Sequence, residues 1–261
     1  MNTLGILGCG NMGGALGRAA AQSIPGLKLV CYDTAADKAA ALAAATGGSV
    51  AASPEELCRE AGTILVALKP QILAAALSGL PVEDKLCISI AAGIKLEKLA
   101  AAAPAARWIR VMPNTPALVG EGVLGWTPGP TATAADEARF TEPFAGSGSL
   151  HKFAEPLLDT VTGLSGSGPA YVFTMINALA EGAVLDGMGK EDALQLAART
   201  VLGAAKMVLE SGLHPELLKD QVTSPGGTTA AGLALLEERG MRSAFSSAVR
   251  RAAERARELG R

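Results

Sequence analysis

A glycine-rich segment near the N-terminus is the first part of this chain that could do chemistry. Gly8-Cys9-Gly10-Asn11-Met12-Gly13 fits the pattern G-x-G-x-x-G and lies between a predicted strand, Thr3–Leu7, and a predicted helix, Asn11–Gln22. Glycines at these positions allow a tight turn, and they let backbone N–H groups approach a pyrophosphate at the helix N-terminus. In this strand–turn–helix context the segment predicts a dinucleotide site. The alternative is a turn that needs glycine for packing alone.

Asp33 is the residue that could select the coenzyme. It follows the next predicted strand, Leu27–Tyr32, and lies 20 residues after Gly13. This spacing is typical of the acidic residue that accepts hydrogen bonds from an adenosine ribose. A carboxylate there repels a 2′-phosphate, and no arginine lies in residues 34–36 to attract one, although Lys38 is near. The sequence therefore favours NADH over NADPH; the alternative is that Asp33 caps a turn.

Three later strands end in polar or glycine-containing turns that also point to a ligand. In a doubly wound sheet the carboxyl ends of parallel strands meet at one edge, where such sheets bind ligands. Small residues would let a flat ring lie close to the backbone, and prolines would stiffen a loop that carries an amide. The alternative is that each turn has only a structural role in its loop. The three are Ala67-Leu68-Lys69-Pro70, Ala91-Ala92-Gly93 and Pro113-Asn114-Thr115-Pro116.

The elements that must position these turns alternate between short apolar runs and helical segments. Apolar strands separated by helices are typical of a parallel sheet covered on both faces, so we predict an α/β, doubly wound sheet. Nearly every segment after Glu155 is predicted to be helical, which divides the chain into a dinucleotide-binding domain (1–154) and a helical domain (155–261). Further predicted strands are Thr63–Leu68, Leu86–Ile90, Trp108–Met112 and Gly148–Phe153, and further helices are Asp37–Thr46 and Thr133–Phe144.

The composition excludes several classes of protein. Of the 261 residues, 49% are hydrophobic and 18% are charged, the opposite of a disordered chain. The 23 basic and 25 acidic residues are mixed, whereas a nucleic-acid binder needs a basic face. No apolar run approaches the ~20 residues of a membrane span, and Met1-Asn2-Thr3-Leu4 does not begin a signal peptide. We therefore expect a cytoplasmic protein without a nucleic-acid or membrane partner.

Cysteine and histidine usage argues against a metal centre and against a serine–histidine triad. The cysteines form no C-x-x-C pair, and neither His151 nor His214 has a neighbouring His or Cys. Zinc sites need clustered ligands of these types, so no metal is expected. The cysteines, expected to be buried and reduced, are Cys9, Cys31, Cys58 and Cys87.

A second glycine-rich turn, Ser224–Ala230, precedes a predicted helix in the C-terminal half. Gly226 and Gly227 open the backbone, and Thr228 and Thr229 begin the helix. Exposed N–H groups and the positive end of the helix dipole favour a carboxylate. The alternative is plain helix capping by threonine.

These segments together resemble the pyrroline-5-carboxylate reductase family. The resemblance extends nearly end to end, and its last segment is the most specific. It implies a Rossmann-like domain followed by an all-helical dimerisation domain that interleaves with a partner, often within a larger assembly. The matching segments are GCGNMGGAL, ALKP, SIAAG, RVMPNTPALVGEG, VTGLSGSGPAYVF, GAAKMVLESGLHP and LKDQVTSPGGTTAAGLALLE.

The resemblance also implies site residues and a reaction, hydride transfer from nicotinamide C4 to the C=N carbon of 1-pyrroline-5-carboxylate, which gives L-proline. Thr229 is the candidate that donates or relays the proton to the imine nitrogen. The implied substrate residues are Glu155, Ser224, Gly226, Gly227, Thr228 and Thr229, and Gln221 lies where some members contact the cofactor. The implied NADH or NADPH residues are Leu7, Gly8, Cys9, Gly10, Asn11, Met12, Asp33, Ala67, Leu68, Lys69, Pro70, Ala91, Ala92, Gly93 and Asn114.

Two other functions are compatible with the fold. A β-hydroxyacid dehydrogenase would need a lysine soon after the interdomain glycine motif, and the segment 153–189 contains no Lys or Arg. A non-catalytic NAD sensor would bind the cofactor without turnover and would not need the Ser224–Thr229 turn. We also expect an obligate homodimer, because the helical segments after Ser167 are apolar on broad faces.

Overall fold

The computed structural model describes residues 3–260. Met1, Asn2 and Arg261 lie outside the described residues. The strands are β1 (Thr3–Leu7), β2 (Lys28–Tyr32), β3 (Ser49–Val50), β4 (Thr63–Val66), β5 (Leu86–Ser89), β6 (Arg107–Met112), β7 (Gly122–Pro128) and β8 (Gly148–Lys152). The helices are α1 (Asn11–Ser23), α2 (Ala36–Thr46), α3 (Pro54–Glu60), α4 (Pro70–Leu77), α5 (Leu96–Ala102), α6 (Ala134–Phe144), α7 (Leu158–Val161), α8 (Gly168–Leu185), α9 (Lys190–Ser211), α10 (Pro215–Gln221), α11 (Thr228–Glu238) and α12 (Met241–Leu259).

One sheet organises the N-terminal part of the chain, in the order β3-β2-β1-β4-β5-β6-β7-β8. The first six strands in this order are parallel, which confirms the predicted doubly wound sheet. The last two depart from the prediction: β7 runs antiparallel to β6, and β8 pairs parallel with β7. Strand β7 was not predicted, because Gly122, Gly125 and Pro128 interrupt its apolar pattern.

Both faces of the sheet are buried at its central strands, so these strands are almost continuously apolar, whereas the edge strands β3 and β8 are largely exposed. Leu4 and Ile6 of β1 are completely buried in the cluster that includes residues of α1, α2 and α6. Ile64 and Val66 of β4 lie in a second cluster, with residues of α3, α4 and α5. These two layers hold the strand ends in fixed positions at one edge of the sheet.

Helix α6 is fixed by the chemistry of its first turn. The Thr133 side chain and Asp136 form a reciprocal capping box, which satisfies backbone N–H groups that would otherwise lack partners. Asp136 also pairs with Arg107 of β6, at 2.8 Å between Oδ2 and Nε. Burial would raise the pKa of Asp136, but the hydrogen bonds from Arg107 and Thr133 outweigh it and lower the pKa to about 2.

The chain forms two compact units. One comprises the chain up to Ser167 together with the segment from Arg250 onward, and the other is Gly168–Val249. This division lies beyond the predicted boundary at Glu155, because the intervening residues pack on the sheet. A Cβ on Gly125 of β7 would lie 2.6 Å from Val161 Cγ1, so the glycine makes room for α7.

The second unit exposes most of its apolar surface. Only Ala180, Ala193 and Ala197 form its buried cluster, and helices α8 and α9 meet there. The predicted apolar face of α8 is largely uncovered in the single chain, since Leu179 is 49% exposed. Other exposed apolar side chains in this unit are Phe173, Leu185, Leu194, Leu196, Leu202, Met207, Leu209, Leu217, Val222 and Leu235.

Within residues 3–260, no helix combines the length and the apolarity that a bilayer crossing requires. The same residues contain no cluster of three or more His, Cys, Asp or Glu side chains that could hold a metal ion.

Candidate functional site

The glycine loop between β1 and α1 is shaped to receive an anion. Gly8 has φ +100°, a conformation that side chains disfavour, and its N–H donates to Tyr32 O at 2.9 Å. A Cβ on Gly13 would lie 2.0 Å from Gly8 O, so only glycine fits there. Gly10 is the N-cap of α1 and supplies no side-chain cap, so the first N–H groups of the helix remain available to a phosphate. The geometry fits a dinucleotide pyrophosphate.

Asp33 holds this loop in place. Its Oδ2 accepts a hydrogen bond from Cys9 N at 2.7 Å, and its Oδ1 accepts one from Ala35 N at 2.9 Å. The second bond is the turn-capping interaction that was the alternative to ribose binding. The two roles are compatible, because an ionised carboxylate has about four acceptor positions and these bonds use two.

The turn after β4 lies directly against the glycine loop. Ala67 N donates to Leu7 O at 2.8 Å, and a Cβ on Gly8 would lie 2.5 Å from Ala67 O. Pro70 begins α4, and Lys69 precedes it as an exposed N-cap. The structure therefore brings the predicted residues Ala67–Pro70 together with Leu7–Met12.

The turn after β5 is packed from behind by the C-terminal end of α12, a contact that the sequence did not predict. Ala91 and Gly93 are buried and Ala92 is exposed. Gly93 has φ +75°, and a Cβ on Gly260 would lie 2.8 Å from Gly93 O. The two residues are far apart in sequence, so no local pattern could reveal this contact.

Asn114 serves as a structural clamp in this structure. It is 7% exposed, its Oδ1 accepts from Val123 N at 2.8 Å, and its Nδ2 donates to Ser165 O at 3.1 Å. The amide thus ties the turn after β6 to β7 and to the π-helix Thr162–Gly166. Its predicted cofactor contact stays a prediction, and these bonds favour positioning of the loop.

Glu155 also bonds to the protein itself. Its Oε1 accepts from Arg110 Nη1 at 3.0 Å and from Leu96 N, at the start of α5, at 2.7 Å. Arg110, which the sequence analysis missed, is buried on β6, and its Nη2 lies 3.5 Å from Asp159 Oδ1. Arg110 thus lies between two carboxylates, and removing either of them would leave part of its buried charge without a partner. The substrate contact of Glu155 stays a prediction, and its two hydrogen bonds favour a positioning role.

The turn Ser224–Ala230 presents a second set of free N–H groups. Gly226 has φ +67°, and Gly227 is the N-cap of α11 without a side-chain capping bond. Thr228 and Thr229 occupy the first two helical positions, so the alternative that a threonine caps this helix is wrong. Thr229 is half-buried, and its hydroxyl has no hydrogen-bond partner in the described part of the chain.

Ser224 closes over the same turn. Gly227 N donates to Ser224 O at 3.1 Å, and a Cβ on Gly227 would lie 2.3 Å from Ser224 Oγ. Any larger residue at Gly227 would therefore displace the serine. The serine hydroxyl, the Thr229 hydroxyl and the N–H groups of the first turn suit a small carboxylate.

The cysteines do not supply a nucleophile. Burial raises the pKa of Cys58 to about 11 and that of Cys87 to about 12. A hydrogen bond with Cys31 and burial raise the pKa of Cys9 far above its usual range, and the same hydrogen bond lowers that of Cys31. Cys9, Cys58 and Cys87 therefore stay protonated and are poor nucleophiles. Cys31 is completely buried, so a substrate in solution cannot reach its thiol.

Family comparisons divide this chain into two recognised parts. Residues 155–259 match the family described as pyrroline-5-carboxylate reductase dimerisation. Residues 3–93 match the family described as NADP oxidoreductase, coenzyme F420-dependent. The first match begins at Glu155, and the second covers the glycine loop and the turns after β4 and β5.

Individual relatives match over nearly the full length of the chain. Pyrroline-5-carboxylate reductase of Methanosarcina acetivorans is 46% identical over 99% of this chain and 98% of its own length. The Escherichia coli enzyme of the same name is 44% identical over the same shares of the two chains. A crystal structure of Plasmodium falciparum pyrroline carboxylate reductase with NADP bound is 31% identical, covers 99% of this chain and 98% of that one, and superimposes with a TM-score of 0.87.

Proposed function

The chain belongs to the pyrroline-5-carboxylate reductase family, and from this premise we propose which of its residues carry out the reaction. The enzyme reduces 1-pyrroline-5-carboxylate to L-proline, the last step of proline synthesis, on an NAD(P)-dependent oxidoreductase fold. One observation supports this assignment of residues. Each unit contains a helix whose N-cap is a glycine without a side-chain capping bond, Gly10 for α1 and Gly227 for α11, so the first N–H groups of both helices can bind an anion.

We propose that the strand-end turns bind the cofactor. Its nicotinamide ring supplies the hydride when it is bound. The N-terminus of α1 holds the pyrophosphate, and the turns at Ala67–Pro70 and Ala91–Gly93 face the rest of the molecule. Asn114 positions the turn after β6 through its bonds to Ser165 and Val123, and Glu155 positions the start of α5, which follows the Ala91–Gly93 turn, through its bond to Leu96.

We propose NADH as the preferred coenzyme. The support is Asp33, whose carboxylate lies beside the glycine loop through its 2.7 Å bond to Cys9 N and would repel a 2′-phosphate. The crystal structure of the P. falciparum relative contains NADP. The proposed preference for NADH is therefore a property of this chain and not of every member of the family.

We propose that the turn Ser224–Thr229 binds the substrate. The N–H groups at the start of α11 hold the carboxylate, and Gly226 and Gly227 leave room for it. The Thr229 hydroxyl donates or relays a proton to the imine nitrogen, whose basicity grows as the hydride arrives. A free hydroxyl at this position is available for that bond.

We propose a homodimer, or a larger assembly, built from the helical unit. Its apolar side chains remain uncovered in the single chain, with Leu185 88% and Leu209 83% exposed. The family name of residues 155–259 refers to dimerisation. Obligate interfaces typically bury more than ~2,000 Å² and are rich in apolar side chains of this kind. The four buried free cysteines agree with a reducing, cytoplasmic location, which we also propose.

The test is a steady-state assay with 1-pyrroline-5-carboxylate and either NADH or NADPH. The proposal expects oxidation of the coenzyme with equimolar formation of proline, and a higher kcat/KM for NADH. Coenzyme binding without turnover would instead support the non-catalytic sensor.

A further inference from the structure

The turn Ser224–Thr229 joins two helices that lack a core of their own. Helix α10 precedes the turn and α11 follows it, and the described part of the single chain buries no residue of either helix. Helices with few buried apolar contacts move locally at little cost in free energy. The arrangement of the turn therefore depends on the polar contacts that α10 and α11 make.

Arg242, the second residue of α12, bonds to both helices. Its Nη1 donates to Glu216 Oε1 at 2.9 Å, and its Nε donates to Glu237 Oε2 at 3.0 Å. Glu216 is the second residue of α10, and Glu237 is the next-to-last residue of α11. The chain between the two carboxylates therefore contains both helices and the whole turn. A planar guanidinium presents donors in a rigid fork and can hold two carboxylates in a fixed arrangement, which the flexible ammonium group of a lysine does not.

The local structure around Arg242 brings these charges together. Gly240, between α11 and α12, has φ +71°, the left-handed conformation that often ends a helix, and its N–H donates to Glu237 O at 2.9 Å. Lys219, on α10, donates to the second carboxylate oxygen of Glu216. The hydrogen bonds from Arg242 and Lys219 lower the pKa of Glu216 to about 2, so this carboxylate is ionised at neutral pH.

The end of α10 connects this cluster to the turn. Thr223 Oγ1 donates to Lys219 O at 2.7 Å, which fixes Thr223 against the last turn of the helix. Ser224 follows directly, and its carbonyl accepts a hydrogen bond from Gly227 N at 3.1 Å. A displacement of α10 would therefore move Ser224 relative to the start of α11.

We propose that Arg242 is a positioning residue for the substrate. By tying α10 to α11 at the ends away from the turn, it keeps Ser224 and the free N–H groups at the start of α11 in the arrangement that fits a carboxylate. The inference rests on the proposed role of this turn in substrate binding. Exposed ion pairs add little to the overall stability of a protein, so Arg242 acts on the local arrangement rather than on folding.

Steady-state kinetics of Arg242→Ala test the proposal. The KM for 1-pyrroline-5-carboxylate should rise about 3- to 10-fold, with a smaller change in kcat, since small displacements of binding groups are costly. The KM for NADH and the Tm should change little, because the dinucleotide loop belongs to the other unit. Arg242→Lys should recover only part of the loss. Arg251→Ala is the matched control, because Arg251 is an exposed arginine of the same helix whose partners, Glu254 and Glu258, also lie on α12.

A double-mutant cycle tests whether Arg242 acts through Glu216. Glu216→Gln should also raise the KM for 1-pyrroline-5-carboxylate. Combined with Arg242→Ala, it should raise the KM by less than the product of the two single effects, because both variants break the same contact. At about 0.5 M KCl the KM values of the wild type and of Arg242→Ala should converge, because salt screens exposed charges.

Hydrogen–deuterium exchange reports on the turn without catalysis. Backbone amides of residues 217–231 should exchange faster in Arg242→Ala than in the wild type, and those of α9 should not change. A KM for 1-pyrroline-5-carboxylate no higher than that of Arg251→Ala, equal rises in both KM values, or unchanged exchange in residues 217–231 would overturn the inference. If the wild type does not reduce 1-pyrroline-5-carboxylate, the proposed function fails, while the exchange experiment still decides whether Arg242 orders the turn.

Discussion

Replacing Thr229 by alanine tests the proposed proton transfer, and the structure predicts that only catalysis will suffer. Thr229 occupies the second position of α11, where Gly227 is the N-cap without a side-chain bond. Its hydroxyl has no partner in the described residues, so its removal breaks no hydrogen bond in the protein. Alanine has the better helix propensity by a few tenths of a kcal/mol, so the Tm should be unchanged or slightly higher.

The expected loss of activity is large by comparison. A lost proton-transfer partner typically lowers the rate ~10²–10⁴-fold, which is ~3–5 kcal/mol of transition-state stabilisation. Because the bond strengthens as the nitrogen becomes basic, kcat and kcat/KM should fall together. NADH binding, measured by quenching of protein fluorescence, should change little, since the dinucleotide loop belongs to the other unit.

Two further variants make this result interpretable. Thr229→Ser keeps the hydroxyl and should recover most of kcat. Thr228→Ala removes the neighbouring, exposed hydroxyl at the first helical position; it should leave the Tm close to the wild type and lower kcat far less than Thr229→Ala does. A Thr229→Ala enzyme with kcat within about threefold of the wild type would refute the role of Thr229 and leave water as the donor.

Three other properties follow from the contacts. Asp33→Ser should raise the NADPH-to-NADH ratio of kcat/KM about 10-fold by removing a charge near the 2′-position, with Asp33→Asn as the closer isostere; an unchanged ratio would contradict the assigned role. The free energy of unfolding should fall by about 2 kcal/mol as the pH drops from about 4 to 2, because the pKa of Asp136 is lowered to about 2 when folded, and Asp136→Asn should flatten this part of a urea-unfolding pH series. Sedimentation at micromolar concentration should show a dimer or larger species, and a folded, active monomer would rule out an obligate dimer.

The sequence predicted the parts of the fold that depend on local patterns. Strand β1 and the start of α1 agree with the prediction. An apolar run followed by G-x-G-x-x-G is typical of a strand, a tight turn and a helix in that order. Strand β7 was not predicted. Glycine has a low strand propensity, and Gly125 fits in this strand because a larger residue would collide with Val161. Asp33 was identified from its spacing, but its bonds to Cys9 and Ala35 needed the structure.

The contacts that hold the site together could not be predicted from the sequence. Arg110 and Glu155 are 45 residues apart, and nothing near either one in the sequence indicates a partner. The packing of Gly260 against Gly93 likewise joins residues that are far apart in the sequence.

Deuterium transfer tests the central claim most directly. The enzyme is given NADH that carries deuterium at both C4 positions together with unlabelled 1-pyrroline-5-carboxylate, and the proline formed is analysed by mass spectrometry and NMR. The account predicts one deuterium per proline, on the carbon that belonged to the C=N bond, with one NADH consumed for each proline. Proline without deuterium, or oxidation of NADH without proline, would contradict direct hydride transfer to the imine.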